Sequence, residues 1–553
     1  MPTSGQASGS LDLEHSQDGA TVYTRSTTPN TLAASSVSEA TPLLLQKHGD
    51  SRPRYTISAV KAEAWKHGDS RPRYTISAVK AEAWVSTIEL ALIWHPKIGM
   101  VLTKILLCYA IPIFGTQILE YSLMMASVIS IGHISTEALA ASTLGTMTAS
   151  VSGLSIIHGF ASALDSLLPQ AWTSDRPQNV GLWTQRMTVL MTLIMIPILG
   201  IWLNAEVILL KLRQEPAIAR LAGIYLRWFS WSLPGQAISI IMRRFYQAQG
   251  LVHIPTVIMV VIAPINALLC WLLVWGPGPL NAGFIGAPIA STISFNLMAV
   301  ILLVCARWFI PDTTFHPINR QCFREIGKLF QLGLSGVGQI ASEWWSWECV
   351  ALAASQLGPT PLAAQSVLLV SSSTAFQTPY SLGMATTVRV GNLLGSGHAQ
   401  MAKLAAETAI GMSLVVAMIL STIFMTFRAN WGYLFNDEEK VVSLVASVLP
   451  VVALFQIVDG ATAVSDGVLR ARGMLGLGAI INICSYYVVG LPAGVALAFW
   501  AHLGLKGLWS GLSIALFCAA AISMFVVYKT NWDLEVSKAR ERLAEEREGV
   551  VPV

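Results

Sequence analysis

Between residues 105 and 528 the chain runs through about twelve apolar stretches, each near the roughly 20 residues a helix needs to cross a bilayer. They fall at 105–130, 138–163, 180–203, 219–242, 253–275, 282–306, 326–356, 362–386, 403–427, 441–468, 475–500 and 505–528. The fold class this predicts is an all-α polytopic membrane protein of about 12 transmembrane helices. Composition points the same way. Of 553 residues, 54% are hydrophobic and 12% charged, a balance that a soluble domain of this length should not have. The net charge of +4 is small and the basic residues are scattered among connections, so there is no nucleic-acid footprint. Seven cysteines occur singly, without a CxxC pair, and read as small hydrophobes rather than as disulfide or metal chemistry.

Residues 1–84 are rich in Ser, Thr, Ala, Gly and charge, and predict a disordered cytosolic tail without a signal peptide. Lys47–Trp65 recurs without a gap as Lys66–Trp84, an identical tandem copy to which no function is assigned. Glu39, Leu43 and Leu44 fit the acidic dileucine pattern that routes membrane proteins to vacuole or lysosome. Residues 85–104 predict an amphipathic segment on the membrane surface. At the other end, 529–553 is a charge-dense helical pattern, read as a solvated cytosolic helix.

Lys and Arg set the topology. With the N-terminus inside, one set of connections carries Arg176, Arg243, Arg244, Arg307, Arg320, Arg324, Lys328, Arg389, Lys403, Arg470 and Arg472. The opposite connections 276–283 and 358–361 carry none. That bias puts both termini in the cytosol. The loop after the third span, with Lys211, Arg213 and Arg220, is the exception. A linker at 307–325 divides the spans into six-helix sets at 105–306 and 326–528. In each set the second span ends in a small-residue, polar segment, 162–172 and 379–397. This is weak internal similarity of the kind that repeat-built transporters show.

Polar residues inside the spans carry the functional reading. A charged side chain at bilayer depth costs at least about 2.5–3.5 kcal/mol. Glu343 and Glu348 nevertheless lie in a span, amid Trp344, Trp345 and Trp347. Five residues apart, the acids stand roughly 140° from each other around a helix. Such acids beside aromatic faces can hold a proton or an organic cation; the alternative is a buried ion pair or a hydrogen bond to a neighbouring helix. Gln117 and Glu120 lie i,i+3 after Pro112 and Gly115 and read as a cavity wall or a tight helix contact. Gln365 follows on the eighth span. Asp459 and Asp466, seven residues apart, share one helix face and suggest a shared polar cavity, unless Asp466 pairs with Arg470. Asp165 and Gln170, and Arg389 and Asn392, sit at inner helix ends and read as structural or gating elements. His133 and His158 are isolated, with no nucleophile and base together, so a membrane enzyme such as an acyltransferase is disfavoured.

Four of these segments resemble the multidrug and toxic compound extrusion family in its eukaryotic, fungal-looking branch. Residues 163–172 are similar to ALDTLxxQAYGA, 343–348 to EWWxxE, 379–397 to PxGxxxAxSxRVGNxLGAG, and 459–473 to DGxxxVxxGVxRGxG. The resemblance spans about 100–530 and leaves the N-terminal tail outside. It implies two pseudo-symmetric six-helix bundles, alternating access, and export of organic, often cationic, compounds in exchange for protons or sodium. It implies no cofactor and no metal, small-molecule and bilayer partners, and a monomer in a vacuolar or plasma membrane. Its acidic positions fall on Glu343, Glu348 and Asp459. The chain departs from the pattern at Gln365, where many eukaryotic relatives have Glu, and at Pro169 and Trp172. A flippase for lipids or amphiphiles of the same superfamily is the alternative.

Overall fold

The computed structural model describes residues 97–277, 281–310, 314, 316–318 and 320–548. The tandem repeat, the sorting pattern at Glu39, Leu43 and Leu44, and residues 85–96 lie outside the described residues. Twelve long helical segments follow in order. The first six are α1 (Lys97–Gly132), α2 (Thr136–Trp172), α3 (Asn179–Leu203), α4 (216–248), α5 (His253–Trp275) and α6 (Gly286–Phe309). The second six are α7 (Ile326–Ser355), α8 (Pro359–Gly395), α9 (Ala399–Phe427), α10 (Glu439–Ala471), α11 (Leu475–Trp500) and α12 (Leu505–Tyr528). A terminal helix, α13, spans Trp532–Glu548.

Among the described residues, nine of these helices are long and apolar enough to cross a membrane: α1, α2, α3, α5, α6, α9, α10, α11 and α12. The other three have the length but carry the strongest interruptions: Arg243 and Arg244 in α4, Glu343 and Glu348 in α7, Gln365 and Arg389 in α8. The helices least suited to lipid are therefore the ones with most reason to face protein or water.

Local chemistry sets the helix ends. Ser135 caps α2 by accepting the Ala138 amide at 3.1 Å. Pro359 opens α8 after Gly358, whose φ of 112° suits glycine. Two helices depart from regular α geometry. α2 has a π turn at Ser150–Leu154, and α11 has π segments at Cys484–Gly490 and Ala496–Trp500.

Each half has its own core, with Trp202 and Tyr246 fully buried in the first and Phe455 and Trp509 in the second. The halves meet toward the basic face, the end that carries the Lys- and Arg-rich connections. Leu106, Ala110 and Ile113 of α1 cluster with Leu382 and Ala385 of α8 and with Ala409 of α9. Gly336 of α7 presses against the backbone oxygen of Gly159 in α2, an approach any Cβ would block.

Two helices outrun their apolar stretches. α2 continues past 163 to Trp172 and α8 past 386 to Gly395. The reason is this same seam: Gly391 lies against Pro169, and Thr173 Oγ1 donates to the Asn392 carbonyl at 2.8 Å. Residues 97–104, expected on the membrane surface, are instead the first turns of α1, where Leu102 is buried against α8, α9 and α13.

The terminal helix also departs from expectation, being docked rather than solvated. Trp532, Val536 and Ala539 are buried among Val390, Leu394 and Ala402. Glu535, 3% exposed, meets Arg472 at 3.3 Å and Lys538 at 3.0 Å. Arg542 donates to the Arg472 carbonyl at 3.0 Å, capping the end of α10. Leu543 packs against the first-half core cluster, so α13 reaches across the seam.

Candidate functional site

The structure gathers three of the expected acids. α7 contributes Glu343 and α10 contributes Asp459 and Asp466. Glu343 has Asp466 and Arg470 as charged neighbours, and Asp459 has Glu343. Asp459 and Asp466 are 4% and 6% exposed. Two turns of α10 separate them, which leaves both on the face turned to α7. Around Asp466 stand the amides of Gln339 and Asn482, and Ser523 Oγ donates to its carboxylate over a long 3.5 Å. Tyr486, 2% exposed, has all three acids as neighbours and is carried by the first π segment of α11. No local sequence pattern pointed to Tyr486, Gln339 or Asn482. The signal would have been their polarity within apolar helices.

The same helix separates the other candidates. Glu348 has no charged partner among the described residues and lies beside Cys349. Trp347 faces the second-half core, edge-on to Phe455 and to Trp509 at 5.5 Å each, rather than lining a cavity. Trp344 and Trp345 reach the first half. Trp344 lies 5.6 Å from the His158 ring, and Trp345 Nε1 donates to the Val151 carbonyl at 3.1 Å. That carbonyl lies in the π turn of α2. Gln365 is 1% exposed and accepts Trp509 Nε1 at 2.7 Å, so it belongs to the second-half core and apart from the acids.

Glu120 and Gln117 form a separate centre in the first half. Arg243 of α4 grips Glu120 with both terminal nitrogens, one of them at 3.0 Å, and reaches Gln117 Oε1 at 3.5 Å. Two-point guanidinium–carboxylate contacts of this kind are the strong, directional ones.

Toward the basic face the halves are tied by polar groups. Asp165, 4% exposed, meets Arg244 Nε at 2.9 Å and Arg470 Nε at 3.7 Å. Gln170 Nε2 donates to the Ala471 carbonyl at 2.7 Å. Arg389 and Asn392 are each 6% exposed in the adjoining turns of α8. Arg470 thus faces Asp165 across the seam as well as Asp466 on its own helix. Two pockets lie elsewhere: an apolar one between α7, α11 and α12 beside Cys349 and Gly494, and a polar one between Arg176 and His316. Neither includes the acids. Among the described residues no three His, Cys, Asp or Glu side chains are disposed to hold a metal ion.

Twelve long helices, with carboxylates and guanidiniums gathered along the seam between two sets of six, define a multi-pass membrane transporter. Comparison with known proteins gives the family. The MatE family model matches twice, at residues 112–272 and 337–496, once in each half. "Uncharacterized transporter C323.07c" of Schizosaccharomyces pombe is 35% identical over 78% of this chain and 81% of its own length. "Protein DETOXIFICATION 16" of Arabidopsis thaliana is 35% identical over 78% and 89% of the two chains. "Multidrug and toxin extrusion protein 2" of Mus musculus is 32% identical over 79% and 76%. The solved structure of the eukaryotic MATE transporter AtDTX14 superposes with a TM-score of 0.76 at 31% identity, covering 80% of this chain and 99% of that one. The chain belongs to the MATE family of multidrug and toxin extrusion transporters.

Proposed function

We propose that the chain is a proton-coupled antiporter that exports organic cations by alternating access between its two six-helix halves. The observation that carries this reading is the convergence of Glu343, Asp459 and Asp466, with Arg470 as the charged basic neighbour among the described residues. Arg470 also faces Asp165, so the acids outnumber their share of positive charge. A protonic or organic cation would restore the balance, in a setting where unpaired charge costs several kcal/mol. Trp344 and Trp345, at the seam, would offer aromatic faces to such a cation. Protons entering from the outer side would neutralise the acids and release the substrate, and would leave to the other side after the halves rock. The basic face is then cytosolic, by the positive-inside bias. Export into an acidic vacuole suits this direction.

The test is uptake of an organic cation into proteoliposomes with an imposed proton gradient. Glu343→Gln combined with Asp459→Asn should abolish exchange while leaving the protein folded. Undiminished exchange in that variant would sink the assignment, and exchange driven equally by a sodium gradient at uniform pH would replace protons as the coupling ion.

A further inference from the structure

We propose that the terminal helix α13 is an autoinhibitory clasp. Anchored on the second half and caught on the first, it holds the inner seam shut, and its release sets how readily the transporter opens toward the basic face. This rests on the rocking of the two halves in the reading above, and not on which ion drives it.

The anchor is built from charge. Helices α8 and α10 end in the same kind of turn. Gly397 and Gly473 take the left-handed conformation, with φ of 84° and 73°. The amide after each glycine bonds back five residues, His398 to the Leu393 carbonyl and Met474 to the Leu469 carbonyl, at 2.9 Å each. α13 lays one arginine over each turn. Arg540 Nη2 and Arg542 Nη1 lie within 2.5 Å of where a Cβ would stand on Gly397 and Gly473. Arg542 also donates to the Arg472 carbonyl at 3.0 Å, and Glu535 meets the Arg472 side chain at 3.3 Å. The anchor thus grips the ends of the two helices that form the second-half side of the seam. There Gly391 of α8 lies against Pro169, and the Ala471 carbonyl of α10 accepts from Gln170 at 2.7 Å.

The catch is apolar and smaller. Leu543 packs against the first-half core. Leu102 of α1, 1% exposed, shares a buried cluster with Trp532, Val536 and Ala539 of α13. When the halves part at their inner ends these contacts must break, whereas the anchor lies within the second half and stays whole. Rocking therefore separates the leucines and leaves the arginines in place. The cost of exposing them adds to that of the seam itself, so a docked α13 disfavours the inner-open state. The anchor and catch residues are not among the acids of the second half or the Asp165 ion pairs, so the clasp can be weakened without touching either.

The first experiment follows a thiol at the catch. Leu543→Cys in the full-length protein is labelled with a membrane-impermeant maleimide. Labelling is read on the tryptic peptide that holds position 543, which contains no native cysteine because the last of these is Cys518. Adding Arg540→Ala and Arg542→Ala should speed labelling by about tenfold, the effect of losing one charge-assisted hydrogen bond from the docked state. An unchanged rate overturns the proposal. The second experiment is organic-cation exchange in proteoliposomes, with the cation presented to the basic face. A transporter freed from its inner-closed state is competent to bind there for more of the time. The half-saturating concentration should therefore fall several-fold in Arg540→Ala, Arg542→Ala. Leu543→Ala, which spares the anchor and removes only the catch, should move it in the same direction. A value equal to wild type or higher in either variant overturns the proposal and leaves α13 a structural support. Glu343→Gln with Asp459→Asn should abolish exchange yet keep the labelling response to the arginine substitutions, so failure of the antiport reading and failure of this one are distinguishable.

Discussion

Arg470 of α10 stands 3.7 Å from Asp165 of α2, a buried contact between side chains of opposite halves. Asp165 also holds Arg244 at 2.9 Å, and all three are less than a tenth exposed. Asp165→Asn would leave two buried guanidiniums short of their counterion. Breaking a buried pair from one side costs about 3–5 kcal/mol. The expected result is a lower melting temperature in detergent, with faster hydrogen exchange at residues 164–172 and 391–395. Unchanged exchange there would mean that the seam is held by its hydrogen bonds and close packing without help from this ion pair.

The terminal helix predicts a second effect. Glu535→Ala removes the carboxylate that meets Arg472, whose side chain is 5% exposed. The loss should again be about 3 kcal/mol or more, since the arginine stays buried. Glu535→Gln should recover part of it by accepting from Arg472. Thermal unfolding of the full chain measures both, and a Glu535→Ala protein as stable as wild type would return α13 to the solvated helix that its composition suggests.

A third prediction concerns the turn between α8 and α9. Burial, and then the charge of Arg389, hold the His398 imidazole below its ordinary 6.5. The folded turn therefore binds this proton less readily than the unfolded chain does. Its stability contribution is complete above about pH 6.5 and is lost as pH falls toward the lowered folded value. Amide exchange at residues 396–399 should accelerate with acid below that point. His398→Gln should be indifferent to pH in the same range; an identical acid response in the variant would assign the effect to another group.

Much of this was legible in the chain because hydrocarbon is a harsh filter. The bounds of α5, α11 and α12 follow from apolar length alone, since other helices cover less than half of their apolar stretches. The inner ends of α2 and α8 do not. There Pro169, Gly391 and Gly395 are chosen for close approach between helices, a pressure invisible to hydropathy. Acids at bilayer depth drew notice to Glu343, Asp459 and Asp466, but hydropathy could not separate Glu343 from Glu348 on one helix; only the position of α10 does. Partners far apart in sequence were also hidden. Gln170 and the Ala471 carbonyl are 301 residues apart. The terminal helix misled for a further reason: its buried Glu535 is matched by Arg472 from another element, so its own pattern is that of a surface helix.

Arg470 serves carboxylates in two places, Asp165 on the inner seam and Asp466 within the acid cluster. If the acid cluster is the cargo bay of the proposed antiport, it and the inner latch, having a common counterion, could not change charge independently. Filling the bay with protons or a cation would release the arginine to tighten the latch, and emptying it would draw the arginine back and slacken the latch. Repeating the hydrogen-exchange measurement on the wild type with and without a saturating organic cation would read this linkage directly; equal protection in both conditions, the behaviour expected of Asp165→Asn, would break it.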